Sequence, residues 1–241
     1  SIEIKKKSGE VKTVELEIKR FSTVTEETIS WPEPDTAVIR INTFSAGYGR
    51  TNVEDLMDEA AKAKYLVVDL RSNGGGSIFN LMHFLSVVLP NRTDIGTFIS
   101  RRTADRYTAE LPGAIPDPVA IAKWTDRHMR TFSRGHDPFA GKIAVLINRG
   151  SASASEIAAA ALRDNVGAKL VGTRSAGAVL ASTYRRLPDG WSIQYPVSDF
   201  VTSKFVRIEG HPLQPDVEVI GRPTPDDPDP AVAAAIKSLK G

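Results

Sequence analysis

The chain has 241 residues, of which 41% are hydrophobic and 25% charged, and it contains no cysteine. This balance is typical of a globular protein with a buried core, and the missing thiol excludes disulfides, thiolate catalysis and cysteine-based zinc sites. The formal net charge is only +2 and no basic block is interleaved with aromatic residues, so no nucleic-acid partner is predicted. No apolar run approaches the roughly 18 residues that span a membrane, and no membrane span is expected.

The N-terminal residues predict a small β segment. Ile2 and Ile4 indicate one strand, and the apolar alternation over 14–18 indicates a second, half-buried strand. A two-stranded piece of this size is too small to fold alone. We therefore divide the chain into a β segment with a linker at 1–30 and a larger domain at 31–241.

The larger domain alternates strands with helices. Continuous apolar runs over 65–70 and 142–148 indicate strands buried on both faces, and such alternation predicts an α/β fold with a mostly parallel sheet flanked by helices. An Arg-rich insertion at about 91–141 interrupts it. The other predicted strands are 37–44 and 168–171, with β structure over 180–208; the predicted helices are 53–63 with Asn52 as N-cap, 78–89, 119–131, 154–163 and 231–239.

A glycine-rich turn, Asp69-Leu-Arg-Ser-Asn-Gly-Gly-Gly76, follows the first buried strand and precedes a helix. Consecutive glycines let the backbone approach a ligand with its N–H groups outward, and such a nest stabilises an oxyanion or a phosphate. Taken alone, the segment favours a plain tight turn that requires positive φ. It is no phosphate-binding Walker motif, because no Lys-Ser/Thr pair follows the glycines.

A second strand-to-helix turn is Gly150-Ser-Ala-Ser-Ala-Ser-Glu156. Ser153 and Glu156 fit a capping box at a helix start, which is a purely structural explanation. Small residues at every position over 150–155 nevertheless leave Ser153 open to a large substrate. The unpaired amides and the dipole of a helix N-terminus can also hold the negative charge of a tetrahedral intermediate.

Both turns resemble motifs of the C-terminal-processing (tail-specific) serine peptidases. The segment from Leu66 to Gly76 is similar to their strand-plus-glycine motif, and 143–157 is similar to their nucleophile segment. The resemblance covers about 36–220. It implies a crotonase/ClpP-like α/β core, a polypeptide substrate, no cofactor, a preceding PDZ domain whose end is 1–20, and a periplasmic or secreted location. It also implies that Ser153 is the nucleophile and that Gly74 or Gly75 forms the oxyanion hole with Ala154.

One position departs from the family pattern. The catalytic lysine of the processing peptidases lies 25 residues after the serine, and the residue at that position here is Ala178. An alanine accepts no proton, and a serine without a base is a poor nucleophile at neutral pH. An engineered change, a natural variant with another base and a pseudo-enzyme would each explain it. Natural divergence is favoured, because Ser182 also replaces the glutamine expected one turn further on.

A related branch, resembling the tricorn core peptidases, lacks the lysine and uses a Ser-His-Ser-Glu tetrad. The Glu-Gly segment at 209–210 matches the carboxylate of that branch, so Glu209 is a candidate orienter and otherwise a solvated loop residue. His211 and His136 are candidate bases. His83 is expected to be structural and His128 to lie on a solvated helix face. No metal-ligand spacing is present, and no metal site is predicted.

The sequence thus predicts a serine endopeptidase that cleaves extended polypeptides. The alternative is a catalytically inactive domain of the same fold that binds peptides or apolar ligands, which Ala178 favours. An acyl-CoA enzyme of the crotonase type shares only the core fold, and the serine-rich turn argues against it. The Arg-rich segment would either form a solvated lid or bind acidic groups of a substrate.

Overall fold

The structure is a computed structural model that describes residues 1–17, 25–133, 135, 137–221 and 229–241. In these ranges the strands are β1 (Ile2–Lys5), β2 (Val11–Val14), β3 (Thr28–Glu33), β4 (Thr36–Arg40), β5 (Tyr65–Asp69), β6 (Asp94–Ser100), β7 (Met129–Arg130), β8 (Lys142–Ile147), β9 (Lys169–Gly172), β10 (Ala181–Arg186), β11 (Ser192–Thr202) and β12 (Val217–Glu218). The helices are α1 (Arg50–Ala60), α2 (Ile78–Val88), α3 (Arg101–Glu110), α4 (Pro118–Trp124), α5 (Ala154–Val166) and α6 (Pro230–Lys240).

A six-stranded sheet of order β12-β9-β8-β5-β4-β3 forms the centre of the larger domain. The pairs from β12 to β4 are parallel, and β3 joins the edge antiparallel to β4. Central strands β5 and β8 are almost wholly buried, as their continuous apolar runs indicate. The predicted α/β fold with a largely parallel sheet is confirmed.

Helices cover both faces of this sheet. Ile39, Val68 and Val145 face α1, α2 and α5 in the main core. Their neighbours Val67 and Ala144 point to the opposite face, where they pack with residues of α6. This alternation is the ordinary two-residue period of a strand. Because β5 and β8 are parallel, their carboxyl ends lie at the same edge of the sheet.

A second, antiparallel sheet of order β10-β11-β6-β7 adjoins the first. The prediction of one helix over 119–131 is wrong, because the Arg-rich insertion also contains β6 and α3 and its second helix, α4, ends at Trp124. Helix α3 buries only Tyr107, so its sequence is almost entirely polar. Both helices pack on β6 and β11 through a small cluster around Ile121 and Val201.

The N-terminal strands β1 and β2 form an antiparallel pair that is largely exposed. Strand β2 spans Val11–Val14, so the strand predicted over 14–18 is wrong except at Val14: residues 15–17 lie outside any strand, and Ile18 lies outside the described residues. Strand β3 runs across the boundary predicted between residues 30 and 31. In the parts of the chain that the structure describes, no helix has the length and hydrophobicity needed to cross a membrane.

The N-cap predicted for the first helix is also wrong. Helix α1 begins after Gly49, and Asn52 lies in its first turn. The side-chain amide of Asn52 donates to the carbonyl oxygen of Glu27 at 3.0 Å. A tertiary hydrogen bond to the β3 side of the fold has therefore replaced the local capping contact.

Candidate active site

The two turns noted in the sequence meet at the carboxyl edge of the central sheet. The glycine turn (residues 70–77) follows β5, and the serine turn (148–153) follows β8, its parallel neighbour. Gly75 has a φ of +92°, and a methyl group added to it would lie 2.7 Å from Cβ of Ser153. Because a real Cβ is never so close, only glycine permits this approach.

Ser153 is held in an unusual backbone conformation at the start of α5. Its φ of 56° and ψ of −119° lie outside the regions that non-glycine residues ordinarily occupy. Its amide donates to the carbonyl oxygen of Ala178 at 2.9 Å. Of the predicted capping pair, the carboxylate of Glu156 accepts from the amide of Ser153, while the amide of Glu156 donates to the carbonyl oxygen of Ser153. Strain at a single serine between a buried strand and a helix is a feature associated with functional sites.

The fully buried carboxylate of Glu156 joins the serine turn to the segment 175–178. Its Oε2 accepts hydrogen bonds from the amides of Ser153 at 3.2 Å and Ala178 at 2.9 Å. Its Oε1 accepts from the amide of Gly177 at 2.7 Å and from the hydroxyl of Ser175. Both carboxylate oxygens are thus satisfied by donors from two turns of the chain, as burial of a carboxylate requires.

Asn73 fixes the glycine turn from within and is itself fully buried. Its Oδ1 accepts from the amide of Gly75 at 2.9 Å, and its Nδ2 donates to the carbonyl oxygen of Ile41 at 2.9 Å. Its own carbonyl oxygen accepts from the amide of Ala152 at 3.1 Å. The amide of Gly75 is therefore engaged by a side chain and not directed at a ligand.

Two other amides at this point are available. Within the described ranges, neither Gly74 nor Ala154 donates a backbone hydrogen bond. Ala154 is the first residue of α5, where amides lack intrahelical acceptors. Both residues line the same cleft as Ser153.

The cleft has a volume of about 820 Å³. Small residues surround Ser153, and apolar side chains form much of the remaining wall. Among its described lining residues there is no lysine, arginine, histidine, aspartate or glutamate, so the cleft itself provides no conventional proton acceptor for Ser153. The lining comprises Thr43, Ser45, Gly74, Gly75, Gly76, Ser77, Ile78, Phe79, Leu81, Phe98, Ala152, Ser153, Ala154, Ile157, Ala178, Val179, Leu180, Ala181, Ser182, Tyr184 and Gln194.

Glu209 and His211 are adjacent to each other but do not line the cleft. The carboxylate of Glu209 accepts from the amides of Val179 at 2.8 Å and Leu180 at 3.2 Å, so it shapes the segment that follows Ala178. His211 is exposed, and its Nδ1 lies 2.9 Å from the carbonyl oxygen of Glu209. The structure therefore does not bring His211 to Ser153.

The other histidines are placed as follows. His136 lies outside the described residues. His83 is buried, with Nδ1 2.8 Å from the hydroxyl of Tyr48 and Nε2 3.1 Å from Glu54. The prediction of a solvated helix position for His128 is wrong, because this residue follows α4 and its side chain is only 10% exposed and paired with Asp94 at 2.8 Å.

An ion-pair network anchors the glycine turn on its other side. Arg71 pairs with Asp69 at 2.7 Å and with Asp229, the N-cap of α6, at 2.6 Å. Partial burial raises the pKa of Asp229, but the hydrogen bonds and the charge of Arg71 outweigh this effect and hold the pKa below its usual value. Helix α6 is thereby tied to the turn that carries Gly74 and Gly75.

Two of these features were missed in the sequence. The sequence predicts Glu156 only as a cap, although the same Ser-x-x-Glu spacing also places its carboxylate beneath the serine turn. The sequence does not single out Ser175, whose fully buried hydroxyl bridges Glu156 and the amide of Leu213, to which it is 2.8 Å away. No local pattern distinguishes such a serine from an exposed one. The arginines of 91–141 that the structure describes do not line the cleft.

Comparison with known proteins agrees with this architecture. The model of peptidase family S41 matches residues 35–219, and the chain belongs to this family. The carboxyl-terminal-processing protease of Synechocystis sp. is 31% identical over 195 residues, which are 80% of this chain and 40% of that protein. A probable CtpA-like serine protease of Staphylococcus epidermidis is 25% identical over 219 residues, 90% of this chain and 38% of that protein. The chain thus spans about 40% of the length of these curated relatives.

Solved structures share the fold. The photosystem II D1 C-terminal processing protease superposes with a TM-score of 0.65 at 22% identity, over 97% of this chain and 57% of that one. The tricorn protease superposes with a TM-score of 0.57 at 24% identity, over 86% of this chain and 18% of that one. Both comparisons concern the fold alone, and the site is interpreted from its own geometry.

Proposed function

We propose that this chain is the catalytic part of a serine endopeptidase that cleaves extended polypeptides through Ser153. The observation that carries the proposal is the strained serine at the start of α5, in a cleft that is also lined by Gly74 and Ala154, whose amides have no backbone acceptor among the described residues. Family membership supports a peptidase reaction. The core is proposed to be of the crotonase/ClpP type, and β1 and β2 to be the end of a PDZ domain.

In the proposed reaction, Oγ of Ser153 attacks the carbonyl carbon of the scissile peptide bond. The hydroxyl proton leaves to a base, and the carbonyl oxygen becomes an oxyanion. Collapse of this intermediate breaks the C–N bond, the amine leaves with a proton, and water then hydrolyses the acyl-enzyme. This is the ordinary two-step route of nucleophilic serine catalysis.

We propose that the amides of Gly74 and Ala154 hold the oxyanion. Each lines the cleft and lacks a backbone acceptor among the described residues, whereas the amide of Gly75 donates to Asn73. Gly75 supports the site in another way, because the absence of a side chain lets the glycine turn approach Ser153. Two preorganised donors in such a hole are a large part of catalysis by acyl-transfer enzymes.

The base is proposed to come from outside the described cleft wall. His211 and His136 are the candidates, with Glu209 as orienter. For His211 to act as the base, the segment 209–211 must move, because Nδ1 of His211 is now 2.9 Å from the carbonyl oxygen of Glu209. In its present position Glu209 supports the site through the amides of Val179 and Leu180.

The substrate is proposed to bind in an extended conformation. Strand β10 is an edge of its sheet and pairs only with β11 in the described chain. Its residues Ala181, Ser182 and Tyr184 line the cleft directly after the segment that bonds to Ser153. An edge strand offers unpaired backbone groups to an extended peptide, as in strand addition.

A second function, an inactive peptide-binding domain, is favoured by Ala178 and by the absence of a proton acceptor among the described cleft residues. Labelling with a fluorophosphonate probe separates the two. We expect the native protein to be labelled and the Ser153→Ala variant not to be. Ser182→Ala is the matched control, since this serine lines the same cleft, and it should label normally. Absence of labelling at Ser153 would reject the peptidase and leave the binding domain.

A further inference from the structure

Two aromatic side chains at the rim of the cleft are left open to water. Phe79, in the first turn of α2, is 78% exposed, and Tyr184, on β10, is 69% exposed. Both line the cleft that contains Ser153. They come from separate elements, because Phe79 follows the glycine turn and Tyr184 follows the segment that starts at Ala178. Large apolar groups exposed together at a cavity mark a contact surface.

The lining of the cleft combines apolar side chains with neutral polar ones. Its accessible apolar surface includes Ile78, which is 38% exposed, whereas Leu81, Ile157 and Val179 are almost completely buried beneath it. No charged side chain is present among the described lining residues. A charged group that entered this space would lose water without gaining an ionic partner, which is unfavourable. An apolar group would gain contacts with the same wall.

We propose that Phe79 and Tyr184 are specificity-determining residues that pack on an apolar side chain of the polypeptide bound beside Ser153. This inference rests on the proposed function and specifies its substrate class as segments with an aliphatic or aromatic residue at the reacting position. The two rings supply contact area at the rim, and the neutral inner wall rejects acidic and basic residues.

The molecule contains a matched control for aromatic exposure. Trp191 is 72% exposed and lies beside β11 at the tip of the hairpin that carries Tyr184, but it does not line the cleft. If exposed aromatic groups bound apolar peptides nonspecifically, replacing Trp191 would weaken peptide binding as much as replacing Tyr184. If Tyr184 forms a subsite, only its replacement on this hairpin should weaken binding.

The test uses the Ser153→Ala protein, so that binding is measured without cleavage. Short fluorescein-labelled Gly-Ser peptides, each with one central Leu, Phe, Asp or Lys, are titrated and followed by fluorescence anisotropy. The variants Phe79→Ala, Tyr184→Ala, Tyr184→Phe and Trp191→Ala are made in this background. Circular dichroism confirms that each variant is folded.

We expect the Leu and Phe peptides to bind at least about tenfold more tightly than the Asp and Lys peptides. Phe79→Ala and Tyr184→Ala should each weaken binding of the apolar peptides by about tenfold, whereas Tyr184→Phe and Trp191→Ala should not. Equal affinity for all four peptides, or equal losses at Trp191 and Tyr184, would overturn the proposal.

The peptidase proposal and the apolar-subsite proposal can be rejected independently of each other. If the native protein is not labelled by the fluorophosphonate probe but the peptide pattern holds, Ser153 is no nucleophile and the apolar subsite stands. If labelling occurs and the peptide pattern is absent, the peptidase stands and Phe79 and Tyr184 do not determine its specificity.

Discussion

The carbonyl oxygen of Ala178 accepts the amide hydrogen of Ser153 at 2.9 Å. The residue at the position of the family lysine is therefore bonded to the backbone of the proposed nucleophile, and its own side chain is exposed in the cleft. The backbone at position 178 is thus bonded to the serine turn, and a longer side chain introduced there would start beside Ser153.

An Ala178→Lys variant should therefore increase labelling by a fluorophosphonate, by about 10² or more if the amine serves as base. The rate of Ser153 labelling at neutral pH is the measurement. Ala181→Lys is the control, since Ala181 also lines the cleft but has no bond to Ser153. Equal rates for the two lysine variants would show that the position of Ala178 has no special relation to the serine.

Glu156→Gln should lower both stability and labelling. The carboxylate accepts from four donors in the described chain, and an amide group would direct its own hydrogens at some of them. Leaving buried donors unsatisfied costs about 1–3 kcal/mol each. Urea unfolding should show a loss of about 2–5 kcal/mol. Glu110→Gln, at an exposed helix pair, should leave stability nearly unchanged; an equal effect at both sites would contradict the buried role of Glu156.

Gly75→Ala should abolish most labelling, because the added methyl would lie 2.7 Å from Cβ of Ser153 and 2.8 Å from the carbonyl oxygen of Ala152. Displacement of the serine turn should reduce the labelling rate by at least about 10². Gly113→Ala tests strain alone, since Gly113 has a φ of +86° with open space around it. That control should lose about 1 kcal/mol of stability and keep its labelling rate.

The Asp229–Arg71 contact predicts a dependence of stability on pH. The pKa of Asp229 is lower in the folded protein than its ordinary value of 3.8, so its contribution is fully present above that value and is lost as the pH falls through the lower folded pKa. Asp229→Asn should destabilise the protein at neutral pH, and the difference should shrink in acid. Thermal unfolding across this range checks it, and a difference that is constant with pH would exclude the ion pair as its cause.

The central sheet could be predicted because the burial of each strand is visible in that strand's own sequence. Buried parallel strands need apolar residues on both faces, and the runs at β5 and β8 have them. Helix α3 escaped prediction because it buries little besides Tyr107 and its sequence therefore shows no apolar face. Asn52 has the chemistry of an N-cap, but its partner is Glu27, which only the tertiary fold brings near.

Part of the candidate site could also be predicted from local sequence. Ser153 and the glycines lie in strand-to-helix turns, and such turns are recognisable from the order of apolar runs and small residues in the sequence. The four donors to Glu156 and the contact of Glu209 with Val179 depend on how separate loops pack. No periodicity encodes such contacts, and the identity of a base is hardest to predict, since a base is defined by distance and not by neighbours in the sequence.

Glu156 bonds to groups that lie 19 to 22 residues further along the chain, beyond β9. The backbone geometry of Ser153 therefore depends on residues that are synthesised after β9. In a growing chain with β9 still inside the ribosome, the hydrogen bonds that link Glu156 to residues 175–178 would not yet exist. The proposed nucleophile would be shaped only once the chain has been synthesised beyond Ala178.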